Sequence, residues 1–156
     1  MACSESSLSK QSDISLSFEC EGFSARYEII SENVLYLASS GYFGPQHVGA
    51  LVAIREEIYR KRLVIPDRHF LMADYTHMTG AGWMAGYALA RSLRALDKEL
   101  RCEPKLIAAW GATGIFYVQL WLGNGLFMKN FRLVKNRARA LQIIEREARR
   151  IGASLK

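Results

Sequence analysis

The sequence predicts one α/β domain with a mixed, mostly parallel sheet and the element order ββαβαβαβα. Three observations lead there. Short apolar, strand-like runs alternate with amphipathic helical segments of about 10–15 residues, which calls for right-handed crossovers and a sheet covered by helices. The first two strand-like runs are separated by a tight turn at Glu32-Asn33, so they pair as an antiparallel hairpin and make the sheet mixed. Third, residues 106–128 run for 23 positions without a charged side chain. About 20 such residues often mark a membrane span, but Gly111, Gly114, Gly123 and Gly125 break this run into a strand, a turn and a helix.

Each element has its own signal. Ser24 to Ile30 and Val34 to Ser39 form the hairpin, and Phe18 to Cys20 extends its first strand beyond a kink at Gly22. Pro45 suits the first turn of a helix, where its missing N–H costs nothing. In that helix Val48, Leu51, Val52, Ala53 and Ile58 form the apolar stripe, with Arg55, Glu56, Arg60 and Lys61 outward. His69 to Ala73 reads as a strand buried on both faces, ending at Asp74. Thr79 is placed to cap the next helix, whose Ala85, Leu89, Leu93, Leu96 and Leu100 recur at helical spacing above a wet face of Arg91, Arg94, Asp97 and Lys98. Leu106 to Trp110 is a strand and Ile115 to Leu122 a helix. Phe127 to Val134 is the final strand, and a last helix runs from about Arg137 to Ile151, lined by Ala140, Ile144, Ala148 and Ile151.

The charge is local. Residues 129–156 carry nine Lys/Arg against Glu145 and Glu147, or +7, whereas residues 1–128 carry 12 against 13, or −1. A basic end of this kind suits an acidic protein, a phosphate-bearing ligand or an anionic membrane surface. Residues 1–17 include seven serines and little to bury, which predicts a disordered tail before a domain over 18–156. Cys3, Cys20 and Cys102 form no CxxC pair, and no secretory leader is visible, so a reducing cytoplasm is expected.

Several stretches together resemble the anti-sigma-factor-antagonist-like group of domains, also called STAS-like or SpoIIAA-like. They are the hairpin Tyr27-Glu-Ile-Ile…Val34-Leu-Tyr-Leu, Ser40-Gly41 before the first helix, and Phe70-Leu-Met-Ala-Asp74-Tyr-Thr-His-Met-Thr79-Gly80. Ile107-Ala-Ala-Trp-Gly111 and Phe131-Arg-Leu-Val-Lys-Asn136 before Ala140-Leu141 complete the match, which covers about residues 18–151. The resemblance implies a SpoIIAA-like fold and a non-enzymatic regulatory or signalling module that binds another protein, sometimes under phosphorylation. It makes Thr79 the candidate phospho-acceptor. It also places Asp74, Thr76, His77 and Gly80 in a polar loop as candidate ligand contacts. Two departures stand out: Met78-Thr79-Gly80 lacks the family's acidic residue before the hydroxyl, and Lys135, Arg137 and Arg139 open the last helix where relatives often carry acids. Three cations there oppose the helix dipole unless an anion offsets them, which makes them candidate anion contacts.

Other chemistries find no constellation. His47, His69 and His77 are scattered, without thiol or acid companions at ligand spacing, so no metal and no cofactor is expected. Cys102 has no histidine near it in sequence, Gly80-Ala-Gly82 is not a dinucleotide fingerprint, and no acid/base set suggests an enzyme. Gly111-Ala-Thr-Gly114 follows a strand and opens a helix, a usual ligand position in α/β sheets and equally a plain tight turn. Nothing resembles a nucleic-acid-reading element. The helix Ile115–Leu122 is apolar nearly all round, yet only one face can meet the sheet. Phe116, Tyr117 and Trp121 are therefore the candidate interface residues, for a protein partner or a second copy in a homodimer. The alternative is an apolar or lipid-like anionic ligand, with the basic last helix touching a membrane surface.

Overall fold

The computed structural model describes residues 14–31, 33–127, 129–153 and 155, with 123–127 as backbone only. Six strands form one sheet in the order β1-β2-β3-β4-β5-β6. They are β1 (Ser15–Cys20), β2 (Phe23–Ser31), β3 (Val34–Phe43), β4 (Phe70–Ala81), β5 (Leu106–Trp110) and β6 (Phe131–Leu133). The first three pair antiparallel and the rest are parallel. Helices α1 (Val48–Arg60), α2 (Trp83–Leu100), α3 (Gly114–Phe127) and α4 (Arg137–Ile151) follow the crossovers, with a 3-10 turn at Pro45–His47 before α1.

The predicted α/β class and mixed sheet are present, with one strand more than expected. Ser15–Cys20 is a separate strand paired with β2, so Ser15, Leu16 and Ser17 belong to the sheet. Its alternation explains why: Leu16 and Phe18 are buried between exposed or half-buried neighbours. Residues 1–13 of that tail, and Glu32 of the predicted turn, lie outside the described residues. Gly22 and Gly41 let this corner close. The Tyr42 N–H donates to the Gly22 carbonyl at 2.9 Å, and at Gly41 (φ +84°) any Cβ would collide with that same carbonyl.

The two faces of the sheet are covered unequally. Helices α1, α2 and α3 share one face, over a core that includes Tyr27, Leu37, Ile58, Leu71 and Ile107. Helix α4 covers the other alone, packing Ala140, Ile144 and Ala148 on Val34, Phe70, Met72 and Ala108. Alternation along β4 sends Phe70 and Met72 to α4 and Leu71 and Ala73 to the opposite core. Helix α4 has the predicted bounds, with the Asn136 side chain accepting from the Arg139 N–H at 3.0 Å as its cap. Among the described residues no helix is long and apolar enough to cross a membrane.

Strand β4 differs most from expectation. It continues past Asp74 to Ala81, because β3 extends to Phe43 and offers it a partner along its whole length. Thr79 therefore lies exposed in a strand and caps nothing; the cap of α2 is Gly82, with extended backbone. Asp74, Thr76, His77 and Gly80 belong to the same strand and form no loop. Helix α3 is longer than Ile115–Leu122, and β6 is correspondingly shorter than the predicted Phe127–Val134.

Candidate functional site

Between the sheet and helices α1, α2 and α3 lies a cavity of about 230 Å³. Tyr27, Leu37, Leu71 and Ile107 from four strands make its floor, and Phe116 and Leu120 of α3 form another wall. On α2 the lining residues include Gly86 and Ala90, too small to fill the space their positions command. A Cβ added at Gly86 would meet nothing within 4 Å. The mouth opens where lining residues are also exposed: Trp83, Gly86 and Tyr87 of α2, and Leu122 of α3.

One charge stands in this apolar wall. Arg55 of α1 is 2% exposed and lines the cavity. Its Nη1 donates to the Tyr59 hydroxyl at 2.8 Å, and its guanidinium carbon sits 5.7 Å from the Tyr27 ring centroid and 5.6 Å from that of Tyr59. Its Nε has no hydrogen-bond partner, and no carboxylate of the described residues pairs with it. Burial works against the Arg55 charge, yet Tyr59, Tyr27 and Asp97 more than offset it, so the group stays protonated. Asp97 of α2 interacts with both Arg55 and Tyr59, and burial raises its carboxyl above the usual range. A buried charge without a direct ion pair is costly, and Asp97 offsets part of that cost through space. Two ring contacts at about 0.5–2 kcal/mol each and one charged hydrogen bond at about 1.5–3 leave little margin. An anion reaching Arg55 from the cavity would complete its coordination.

Around the mouth the surface is apolar. Trp83, Met84 and Tyr87 of α2 and Ile115, Tyr117, Val118, Trp121 and Leu122 of α3 are all exposed. Single exposed apolar residues are ordinary, but here they stand together on two adjacent helices. The over-apolar character of α3 thus has a structural expression: Phe116 turns inward, edge-on to Tyr75 with centroids 5.4 Å apart, and its neighbours face solvent.

No protein-family model matches the chain, and no curated protein sequence does. Solved structures do. An uncharacterized protein of the DUF3478 family with a SpoIIAA-like fold, from Shewanella loihica PV-4, aligns over 88% of this chain and 99% of its own, with a TM-score of 0.56 and 14% identity. An anti-sigma factor antagonist from Mycobacterium paratuberculosis aligns over 88% of this chain and 98% of its own, with a TM-score of 0.50 and 18% identity. The fold is SpoIIAA-like.

Within this SpoIIAA-like frame the residues singled out from sequence fall into three places. Along β4, Tyr75, Met78 and Ala81 face the cavity, while Asp74, Thr76, His77, Thr79 and Gly80 do not line it. That three-residue spacing, in place of two, comes from two register shifts against β3. Asp74 accepts from the Thr76 N–H at 2.9 Å, the Thr76 hydroxyl at 2.6 Å and the Tyr36 hydroxyl at 3.1 Å. Burial opposes its charge, but these bonds outweigh it and hold the carboxyl below its ordinary value. The turn at Gly111 (φ +84°) packs against Thr76 so closely that any Cβ would collide with the Thr76 backbone, which fills that ligand position with protein.

Lys135 and Arg139 line a second, basic groove beside β6, whereas Arg137 stacks on Tyr36 with its guanidinium carbon 5.6 Å from the ring centroid. The three cations therefore do not form one site. Phe116, expected at an interface, is buried; Tyr117 and Trp121 remain at the surface. Cys102 is buried with its thiol pushed up to about 11, first by burial and then by Asp97 and Asp67, so it is a poor nucleophile.

Sequence reasoning missed Arg55, the residue with most chemical consequence. The signal was present. Leu51, Arg55 and Ile58 stand at i, i+4 and i+7, so the apolar stripe itself carries Arg55 inward. Asp97, assigned to the wet face of its helix, is half-buried beside it for the same reason, one position after Leu96.

Proposed function

We propose that this chain is a regulatory binding domain whose effector is a small apolar molecule with one anionic group, held in the cavity with its acidic end on Arg55. The buried Arg55, with an unpartnered Nε and the one charge in a mostly apolar wall that also holds Ser39 and Gln119, carries this reading. At about 230 Å³ the cavity lies just under the roughly 300–1,000 Å³ usual for drug-sized ligands, which favours a single short chain over a two-chain lipid. One neighbour in fold is named an anti-sigma factor antagonist, which fits a regulatory role exercised through protein contact. The exposed apolar rim on α2 and α3 surrounds the mouth, so occupancy would be felt where a partner or a second copy would dock. Thr79 stays a candidate phospho-acceptor in this reading, as an exposed strand residue three positions before the α2 cap.

Isothermal titration of the chain with decanoate and with decanol tests it, because the two share a tail and differ in charge. Decanoate should bind at least about tenfold more tightly, and Arg55→Met should erase that preference while keeping the tail site. Equal affinity for both would remove the anionic role of Arg55, and binding of neither would remove the reading.

A further inference from the structure

Across the sheet from the cavity, β6 and α4 enclose a groove of about 700 Å³. Leu106, Val134 and Ile143 supply its aliphatic surface, and seven Lys/Arg side chains line it against one acid, Glu147. Glu147 is already engaged by Arg150, with Nε 3.1 Å from both carboxylate oxygens. Lys105, Lys129, Lys135 and Arg146 have no ion-pair partner among the described residues, and Arg139 bonds only the neutral Gln142 side chain, at 3.1 Å. These cations come from just before β5, the α3–β6 and β6–α4 connections and two turns of α4, and the fold gathers them on one groove.

The strand beside this groove is an edge, since the sheet order ends at β6. The Asn130 carbonyl and the Val134 N–H are used toward β5, at 2.9 and 2.8 Å. Alternation then turns the backbone groups of Phe131 and Leu133 outward. Arg132 Nη1 donates to the Phe131 carbonyl at 2.8 Å, leaving the Leu133 groups for a newcomer. An edge of three residues is too short to recruit a partner through backbone bonds alone, so charge must carry the recognition.

We propose that this groove docks an extended acidic segment of a protein partner, its carboxylates on the unpaired cations and its apolar side chains on the aliphatic surface. Charge complementarity argues for the sign, seven cations facing one neutralised acid. The concave shape and recessed aliphatic residues suit a single strand better than a flat bilayer. Among the described residues no aromatic side chain lines the groove to stack a base, which disfavours nucleic acid. The site lies on the opposite face from the cavity and stands independently of the effector reading.

Fluorescence anisotropy of a labelled peptide of alternating Glu and Leu, added to the full chain, tests this. Binding should weaken with salt through about 0.15 M. It should fall at least about tenfold in Arg139→Glu/Arg146→Glu and far less in Arg94→Glu/Arg149→Glu, which has the same net charge outside the groove. Circular dichroism checks that both variants fold, and Lys129→Gln/Lys135→Gln replaces the first pair if it does not. Equal losses in the two pairs, no peptide binding at low salt, or tighter binding of phosphatidylserine vesicles or oligo-dT would overturn the proposal.

Discussion

Helices α3 and α4 flank the same edge strand, and they treat burial in opposite ways. Helix α4 is two-sided: Ala140, Ile144 and Ala148 are fully inside, its Arg residues and Glu145 are exposed, and Glu147 is half-buried. Small residues let it sit close on Val34, Phe70, Met72 and Ala108, and the basic groove lies beside this contact, next to β6. Helix α3 is apolar on every side, so it buries Phe116 and still exposes Ile115, Tyr117, Val118 and Trp121. With α2 it roofs a hollow and leaves the sheet face open. One face of this sheet is packed closely by a single helix. The other keeps an open cavity and an exposed apolar rim.

The largest expected effect that separates the faces is acid sensitivity. His69 is fully buried on the cavity side, edge-on to Tyr59 with centroids 5.6 Å apart, its Nδ1 3.2 Å from the Ile65 carbonyl. Burial, aided by the Arg55 charge, lowers its pKa to about 4. The unfolded chain takes up that proton below about 6.5 and the native chain only below about 4. The His69 contribution to stability is therefore complete above pH 6.5 and falls as pH drops through this window, by about 3 kcal/mol. Urea midpoints from pH 7 to 4 should show the decline, and His69→Asn should flatten it. A wild-type chain with no loss over that range would break the account of this face.

A matched pair of substitutions gives the next effect. Ala140→Leu on α4 overpacks a closed interface and should cost about 1–3 kcal/mol. Ala90→Leu on α2 grows into the hollow and should be neutral or stabilise by about 0.5–2 kcal/mol, while abolishing decanoate binding. Denaturant melts of both would sharpen the comparison, and equal destabilisation would deny that the cavity is open space. The smallest effect on stability belongs to Trp121→Glu. It should change folding by less than about 0.5 kcal/mol, yet shift any self-association seen by light scattering toward monomer.

The alternation of strands and helices, the hairpin and the whole of α4 were legible because each rests on local periodicity. The length of β4 was not. Its second half is held extended by pairing with β3, a non-local contact that overrides the cap signal of Thr79. Arg55 was misplaced because its charge was weighed above its register between Leu51 and Ile58. The groove cations were visible only in part. Lys135 and Arg139 stand in the basic C-terminal run, but Lys105 joins them only through the β5–β6 pairing. The cavity had no sequence signature beyond Gly86 and Ala90, because it consists of atoms that are missing from between elements far apart in the chain.

The cavity and Arg55 are proposed to make together an anion-tipped apolar site. Paired titrations of decanoate and decanol into the wild-type chain and Arg55→Met test it most directly. The account predicts at least about tenfold preference for decanoate in the wild type and none in Arg55→Met, with decanol binding retained in both. A preference that survives Arg55→Met, or the absence of binding by either molecule, would contradict it.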